Sequence, residues 1–174
     1  MKHLILIAII FGLLVSPIAV LADSQPSIEI AFSPNQGATK AIVNVISEAK
    51  SSIMVAAYSF TSKDIAIALL AAHKRGVDVK AVLDKSNVKA SYSSAKFLAN
   101  VGIPTRINFK YAIMHSKYLI IDGVTVETGS FNYSKAAENK NAENIIILRN
   151  QPKIAKQYEN NWKKLWDESE DYEA

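Results

Sequence analysis

From Ile28 onward the chain switches repeatedly between two hydrophobic periods, and few architectures survive that alternation. Ile28 to Phe32 has strand character. Ala38, Ile42, Val45, Ile46 and Ala49 then recur at the spacing of a helix with one apolar face. Ile53 to Tyr58 is a continuous apolar run, as in a strand covered on both faces. A helix is expected from Thr61 to Arg75, capped by the Thr61 hydroxyl, with Asp64 as the acid of a capping box. His73-Lys74-Arg75-Gly76 sets cations at the negative helix end and a glycine at the left-handed turn, which explains His73 without chemistry. Val77 to Leu83 reads as a strand, Ser91 to Val101 as a helix, and Pro104 to Asn108 as a short strand. Asn144 to Leu148 is a further strand, and Gln151 to Glu168 a closing helix. The stripe of that helix, Ile154, Tyr158, Trp162, Leu165 and Trp166, fits a core face better than a base-stacking platform. The pattern predicts an α/β domain, a mixed β-sheet flanked by helices on both faces.

The N-terminus belongs to a different category. Lys2, an apolar run from Leu4 to Val15, the breaker Pro17 and the small residue Ala22 match a secretory signal peptide over residues 1–22. The competing reading is a retained membrane anchor, since Leu4 to Ala22 is nearly long enough to span a bilayer. With the leader removed, residues 23–174 form one domain of a size that buries a real core. The expected location is periplasmic or secreted, with no stable membrane association after cleavage. The net charge of +4, of which Lys2 contributes one, is mildly basic and suits an anionic partner. The chain has no cysteine, which excludes thiolate catalysis, Cys-ligated zinc and disulfides.

The chemistry concentrates between His115 and Glu143. In an extended segment His115 and Lys117 project to one face, about 7 Å apart. Asp122-Gly123 signals a two-residue hairpin. If Ile121 pairs with Val124, Lys117 lies opposite Thr128 and His115 opposite Ser130, with Asn132 just beyond; facing Cβ atoms are then about 5 Å apart. An imidazole can serve as nucleophile or general acid. Lys117 supplies positive charge for non-bridging oxygens, and Asn132 a neutral donor for the same atoms. Phosphoryl transfer gains from such prearranged donors. No acidic cluster accompanies the set, so a metal-independent reaction without cofactor is expected. Asp122 points away from His115 and reads as a turn former. Glu143 is either the acid that orients the imidazole or an ordinary solvated carboxylate. Phe109-Lys110-Tyr111 either line a groove for a nucleic-acid strand or form an ordinary strand edge.

His115-x-Lys117-x4-Asp122-x6-Gly129-Ser130-x-Asn132 resembles the HKD signature of the phospholipase D superfamily, with every named position present. Size, leader and single motif are similar to the small bacterial endonucleases of that superfamily, the Nuc type. The resemblance implies the phospholipase D-like fold and two motifs per active site. With one motif per chain, it implies a homodimer whose site lies on the two-fold axis. One His115 would form a phosphohistidine and the other would protonate the leaving oxygen, then activate water. Lys117 and Asn132 would clamp the phosphate, and Ser130 and Glu143 would position the nucleophilic imidazole. Coupled titration of two imidazoles predicts a bell-shaped pH profile centred near neutral or mildly acidic pH. The expected function is an exported endonuclease on DNA, or RNA as well. The rivals are a phospholipid-cleaving enzyme and an inert nucleic-acid-binding module.

Overall fold

The computed structural model describes residues 25–89 and 93–173. The expected leader, 1–22, and the expected helix start at Ser91 lie outside them. The described elements run β1 (Ser27–Ser33), α1 (Ala38–Glu48), β2 (Ser52–Ala57), α2 (Lys63–Lys74), β3 (Asp78–Asp84), α3 (Ser86–Lys89) and α4 (Ala95–Asn100). They continue with β4 (Thr105–Asn108), β5 (Lys117–Ile121), β6 (Thr125–Gly129), α5 (Lys135–Asn139), β7 (Glu143–Arg149), α6 (Pro152–Asp167) and β8 (Glu170–Asp171). The strands form one mixed sheet in the order β1-β7-β6-β5-β2-β3-β4-β8. Strands β2, β3 and β4 are parallel, as helical crossovers require, and the other pairings are antiparallel.

Strand alternation divides the core in two. Ile53, Val55, Val79, Ala81, Leu119, Ile121, Ile145 and Ile147 face one layer, where Ile42, Ile46, Ile65, Leu69 and Leu98 of α1, α2 and α4 meet them. Ala56, Val82, Tyr118, Ile120 and Val126 face the other, beneath Ala155, Trp162 and Leu165 of α6. The α6 stripe is therefore core, and the Trp162 indole donates to Val55 O at 2.8 Å. The fold expected from periodicity is the fold found: helices cover both faces of a mixed sheet.

Three local expectations need correction. Helix α2 is capped by Ser62, whose Oγ accepts from Ile65 N, and not by Thr61. Thr61 N and Ser62 N both donate to Tyr133 O, which holds the chain extended one residue further, so Asp64 sits in the first turn without closing a capping box. Helix α4 starts at Ala95, because the residues before it are used elsewhere: Ser94 N donates to Phe60 O, and the Ser93 hydroxyl to Asn87 Oδ1.

The third correction is the hairpin register. Asp122 and Gly123 have φ of 53° and 67°, as a type I′ turn requires, and Val124 N donates to Ile121 O at 3.1 Å. The ladder, however, pairs Ile121 with Thr125 and Tyr118 with Thr128. Val124 is an extra residue in the second strand, a bulge whose carbonyl is engaged by Gln151 N at 2.7 Å. Lys117 is thereby level with Gly129 and not with Thr128, and His115 no longer faces Ser130.

Candidate active site

The sheet edge that carries the motif is formed by the C-terminal ends of β2, β3 and β6 and the N-terminal ends of β5 and β7. Three apolar strands thus end, and two begin, beside polar residues. Tyr58 N donates to Ser116 O just beyond the β2–β5 ladder, and this contact sets His115 against Tyr58. The two ring centroids are 4.7 Å apart, tilted by 53°. His115 is exposed, and among the described residues its imidazole makes no hydrogen bond.

Lys117, the first residue of β5, is only 6% exposed. Its Nζ donates to His115 O at 2.7 Å and lies 5.2 Å from the Tyr58 ring centroid. Burial pushes the ammonium below the ordinary lysine range, and the Glu143 carboxylate pulls it back. Gly129, level with Lys117 in the β5–β6 register, carries no side chain there. A Cβ at 129 would also stand 2.1 Å from Asn144 O, so the close approach of β6 to β7 requires glycine.

Ser130 is taken up by that approach. Its N donates to Asn144 O, its Oγ to Asn144 Oδ1 at 3.2 Å, and Asn144 N donates back to Ser130 Oγ at 3.1 Å. Glu143 Oε1 accepts from Asn141 Nδ2 at 3.1 Å. Within one chain, then, Glu143 acts on Lys117 and Asn141, and Ser130 on Asn144; neither touches the imidazole. Asn132 is half-buried, and its Oδ1 is a buried oxygen without a hydrogen-bond partner among the described residues. That vacancy is unusual for a buried polar atom.

Asp122 stands at the far end of β5 from His115. Its carboxylate accepts from Lys50 N, Ser51 N, Ser52 N and the Ser51 hydroxyl. Burial opposes its ionisation, yet the backbone donors of Ser52, Ser51 and Lys50 together hold its carboxyl below the ordinary range. It is a turn residue, as expected, and also an anchor between the hairpin tip and the start of β2.

The tripeptide considered for strand binding has other partners. Lys110 pairs with Glu168 at 2.6 Å, and the Tyr111 hydroxyl donates to the same carboxylate at 2.8 Å. Tyr111 also packs against the α6 layer. Of the three, Phe109 alone keeps an exposed ring without such a tie.

Three supporting residues escaped sequence reading. Tyr58 carries the contact to His115. Asp84, buried at the end of β3, accepts from Met114 N and Ser86 N, both at 2.8 Å, and so holds the residue before His115. Asn87 donates to Tyr58 O and Asp84 O and accepts from Phe60 N. A lone acid closing an apolar strand was the available signal for Asp84; nothing local marked Tyr58 or Asn87.

Known proteins carry the same framework. The family model described as cardiolipin synthase, PLD-like domain, matches residues 42–166. The chain is 40% identical over 139 residues to phospholipase D of Rickettsia conorii, covering 80% of this chain and 69% of that one. The crystal structure of Nuc, a phospholipase D family member from Salmonella typhimurium, superposes with a TM-score of 0.82 at 44% identity, covering 86% of this chain and 100% of Nuc. NucT from Helicobacter pylori gives a TM-score of 0.77 at 25% identity, covering 85% and 100%.

Proposed function

The chain belongs to the phospholipase D superfamily and is a phosphodiesterase, and from that premise we propose that it is an exported endonuclease working as a homodimer. The observation that carries this reading is that the motif supplies one exposed imidazole, His115, whose backbone carbonyl accepts from the buried Lys117 ammonium. A double displacement on phosphorus needs a nucleophile and an acid together. His115 of one chain attacks phosphorus, and a P–N bond forms as the P–O bond to the leaving group breaks. The partner's His115 gives its proton to the leaving oxygen. It then takes a proton from water, which attacks phosphorus and restores the free imidazole. Lys117 Nζ and the Asn132 amide nitrogen of both chains donate to the non-bridging oxygens. In this proposal Ser130 and Glu143 hold the nucleophilic imidazole as the family signature implies, although within one chain they bond Asn144 and Asn141.

The sheet offers a place for that second chain. Among the described residues helix α6 packs chiefly on β6, β5, β2, β3 and β4, away from the β1 end of the sheet. On that face Ile28, Ile30 and Phe32 are 62%, 60% and 50% exposed, in register with Leu148, Ile146 and Asn144. The apolar patch thus runs along β1 to Asn144, the partner of Ser130. An exposed, contiguous apolar patch of this kind marks an interaction surface.

A nucleic-acid substrate is supported by the net charge of +4 and by the full-length match to the small proteins Nuc and NucT. The metal-independent route is part of the proposal and rests on the chemistry of the set itself, an imidazole nucleophile and a lysine ammonium that supplies the positive charge. Phospholipid is the second reading, favoured by relatives named phospholipase D and by an apolar groove of about 690 Å³ lined by Ala66, Ile67 and Phe97 beside Thr61. Plasmid nicking in excess EDTA decides between them: the wild type should cut and His115→Asn should bind without cutting. Headgroup release from phosphatidylcholine vesicles with no nicking would establish the lipid reading instead. Activity lost in EDTA and restored by magnesium would overturn the mechanism.

A further inference from the structure

The six-residue interval from Glu127 to Tyr133 contains Gly129, Ser130 and Asn132, and its two ends are joined by a hydrogen bond that the chemistry above does not use. The Tyr133 hydroxyl donates to Glu127 Oε2 at 2.7 Å, and both side chains are buried to 1% exposure or less. Glu127 faces Leu119 and Ile147 on the neighbouring strands, so it sits in an otherwise apolar layer. Burial raises its carboxyl to about 8, against which the Tyr133 hydroxyl works. A neutral leucine or methionine would suit that layer better, because a buried ionisable group is generally destabilising beside an apolar one of similar volume.

Tyr133 is also a junction. Its carbonyl accepts from Thr61 N and Ser62 N, both at 2.8 Å, and its ring meets Phe60 edge-on at 5.7 Å. Phe60 is two residues from Tyr58, which packs on His115. The Tyr133 ring and carbonyl therefore tie the segment behind the imidazole to the end of the segment carrying Ser130 and Asn132, and its hydroxyl ties that end back to β6.

We infer that the Glu127–Tyr133 hydrogen bond is a positioning clamp for the active site, closing the Gly129–Asn132 segment and fixing Asn132 at the sheet edge that carries His115. Neither residue touches substrate. The inference rests on the proposed role of Asn132, though not on the identity of the substrate. A misplacement of about 1 Å in a phosphate-holding group can cost up to about a hundredfold in rate, so a clamp has something to protect.

The test measures hydrolysis of bis(p-nitrophenyl) phosphate and thermal stability on the full-length dimer. Tyr133→Phe should lower kcat about tenfold while KM moves less than about threefold, and Glu127→Gln, which keeps an acceptor for the phenol, should stay within about threefold of wild type. The double change Glu127→Leu with Tyr133→Phe removes the polar pair while keeping its volume. It should melt no lower than wild type and still be at least about tenfold slower, a combination that a merely structural pair does not produce. If the double variant fails to fold, Tyr133→Phe alone decides. Wild-type kcat in Tyr133→Phe or the folded double variant, beside a slow Asn132→Ala, overturns the clamp alone. An Asn132→Ala enzyme at full rate overturns the clamp together with the site it serves.

Discussion

A carboxyl group enclosed by Leu119, Ile147 and a phenol gives up its proton reluctantly, and Glu127 links that reluctance to stability. Its folded value of about 8 lies above the ordinary 4.5. Between those limits the folded chain keeps a proton that the unfolded chain releases, so stability falls as pH rises, by up to about 1.4 kcal/mol per pH unit. The contribution is fully present below the unfolded value and gone above the folded one. Glu127→Gln removes this dependence. Its urea midpoint should exceed that of wild type by a margin that widens between pH 5 and pH 8, at fixed protein concentration. An equal margin at both pH values would show that Glu127 is ionised throughout. Nothing near Glu127 in the sequence announces its burial: Val126 and Thr128 flank it, Thr125 stands two residues before, and the strand reads as half polar. Gly129 was legible as a motif letter, but its reason, the Asn144 carbonyl 2.1 Å from any added Cβ, belongs to a partner fifteen residues away.

At the scale of elements, the β5–β6 hairpin separates the proposed chemistry from anchorage. His115 and Lys117 occupy one end of β5 and Asp122 the other, about 20 Å along an extended chain. Asp122 joins the hairpin tip to the start of β2 through backbone donors of Lys50, Ser51 and Ser52. Asp122→Ala should therefore cost about 2 kcal/mol of stability, after allowance for partial exposure, and leave kcat of the folded enzyme unchanged. A folded Asp122→Ala enzyme slowed tenfold would place the aspartate in the chemistry after all. The hairpin also shows where local reading stops. The Asp-Gly turn forms as expected, because two positive φ values are a local preference. The Val124 bulge does not follow from the turn, since it depends on Gln151 reaching the Val124 carbonyl from the start of α6.

For the whole molecule, the open β1–β7 face and the single imidazole belong to one question. A stable dimer buries about 1,200–2,000 Å² in total, and a strand presenting Ile28, Ile30 and Phe32 to solvent is a natural centre for such an interface. Ile30→Glu leaves every motif residue in place. It should shift the protein to monomer in light scattering and abolish turnover with the dimer. A fully active monomer would remove the shared-site mechanism. Sequence periodicity could not locate this face. Ile28, Ile30 and Phe32 look like any inward-facing alternation, and their exposure among the described residues goes with α6 packing on β6 to β4 and not on β1.

The main strand and helix identities and the two-faced core were legible because they depend on period and turn preference, carried by residues close along the chain. Register, burial and partnership were not. The Val124 bulge, the Ser130–Asn144 pairing, the Glu168 tie on Lys110 and Tyr111, and the supports Tyr58, Asp84 and Asn87 join residues far apart in the chain. Such contacts depend on how whole layers pack, and a shift of one residue in a strand is enough to hand each side chain a different neighbour.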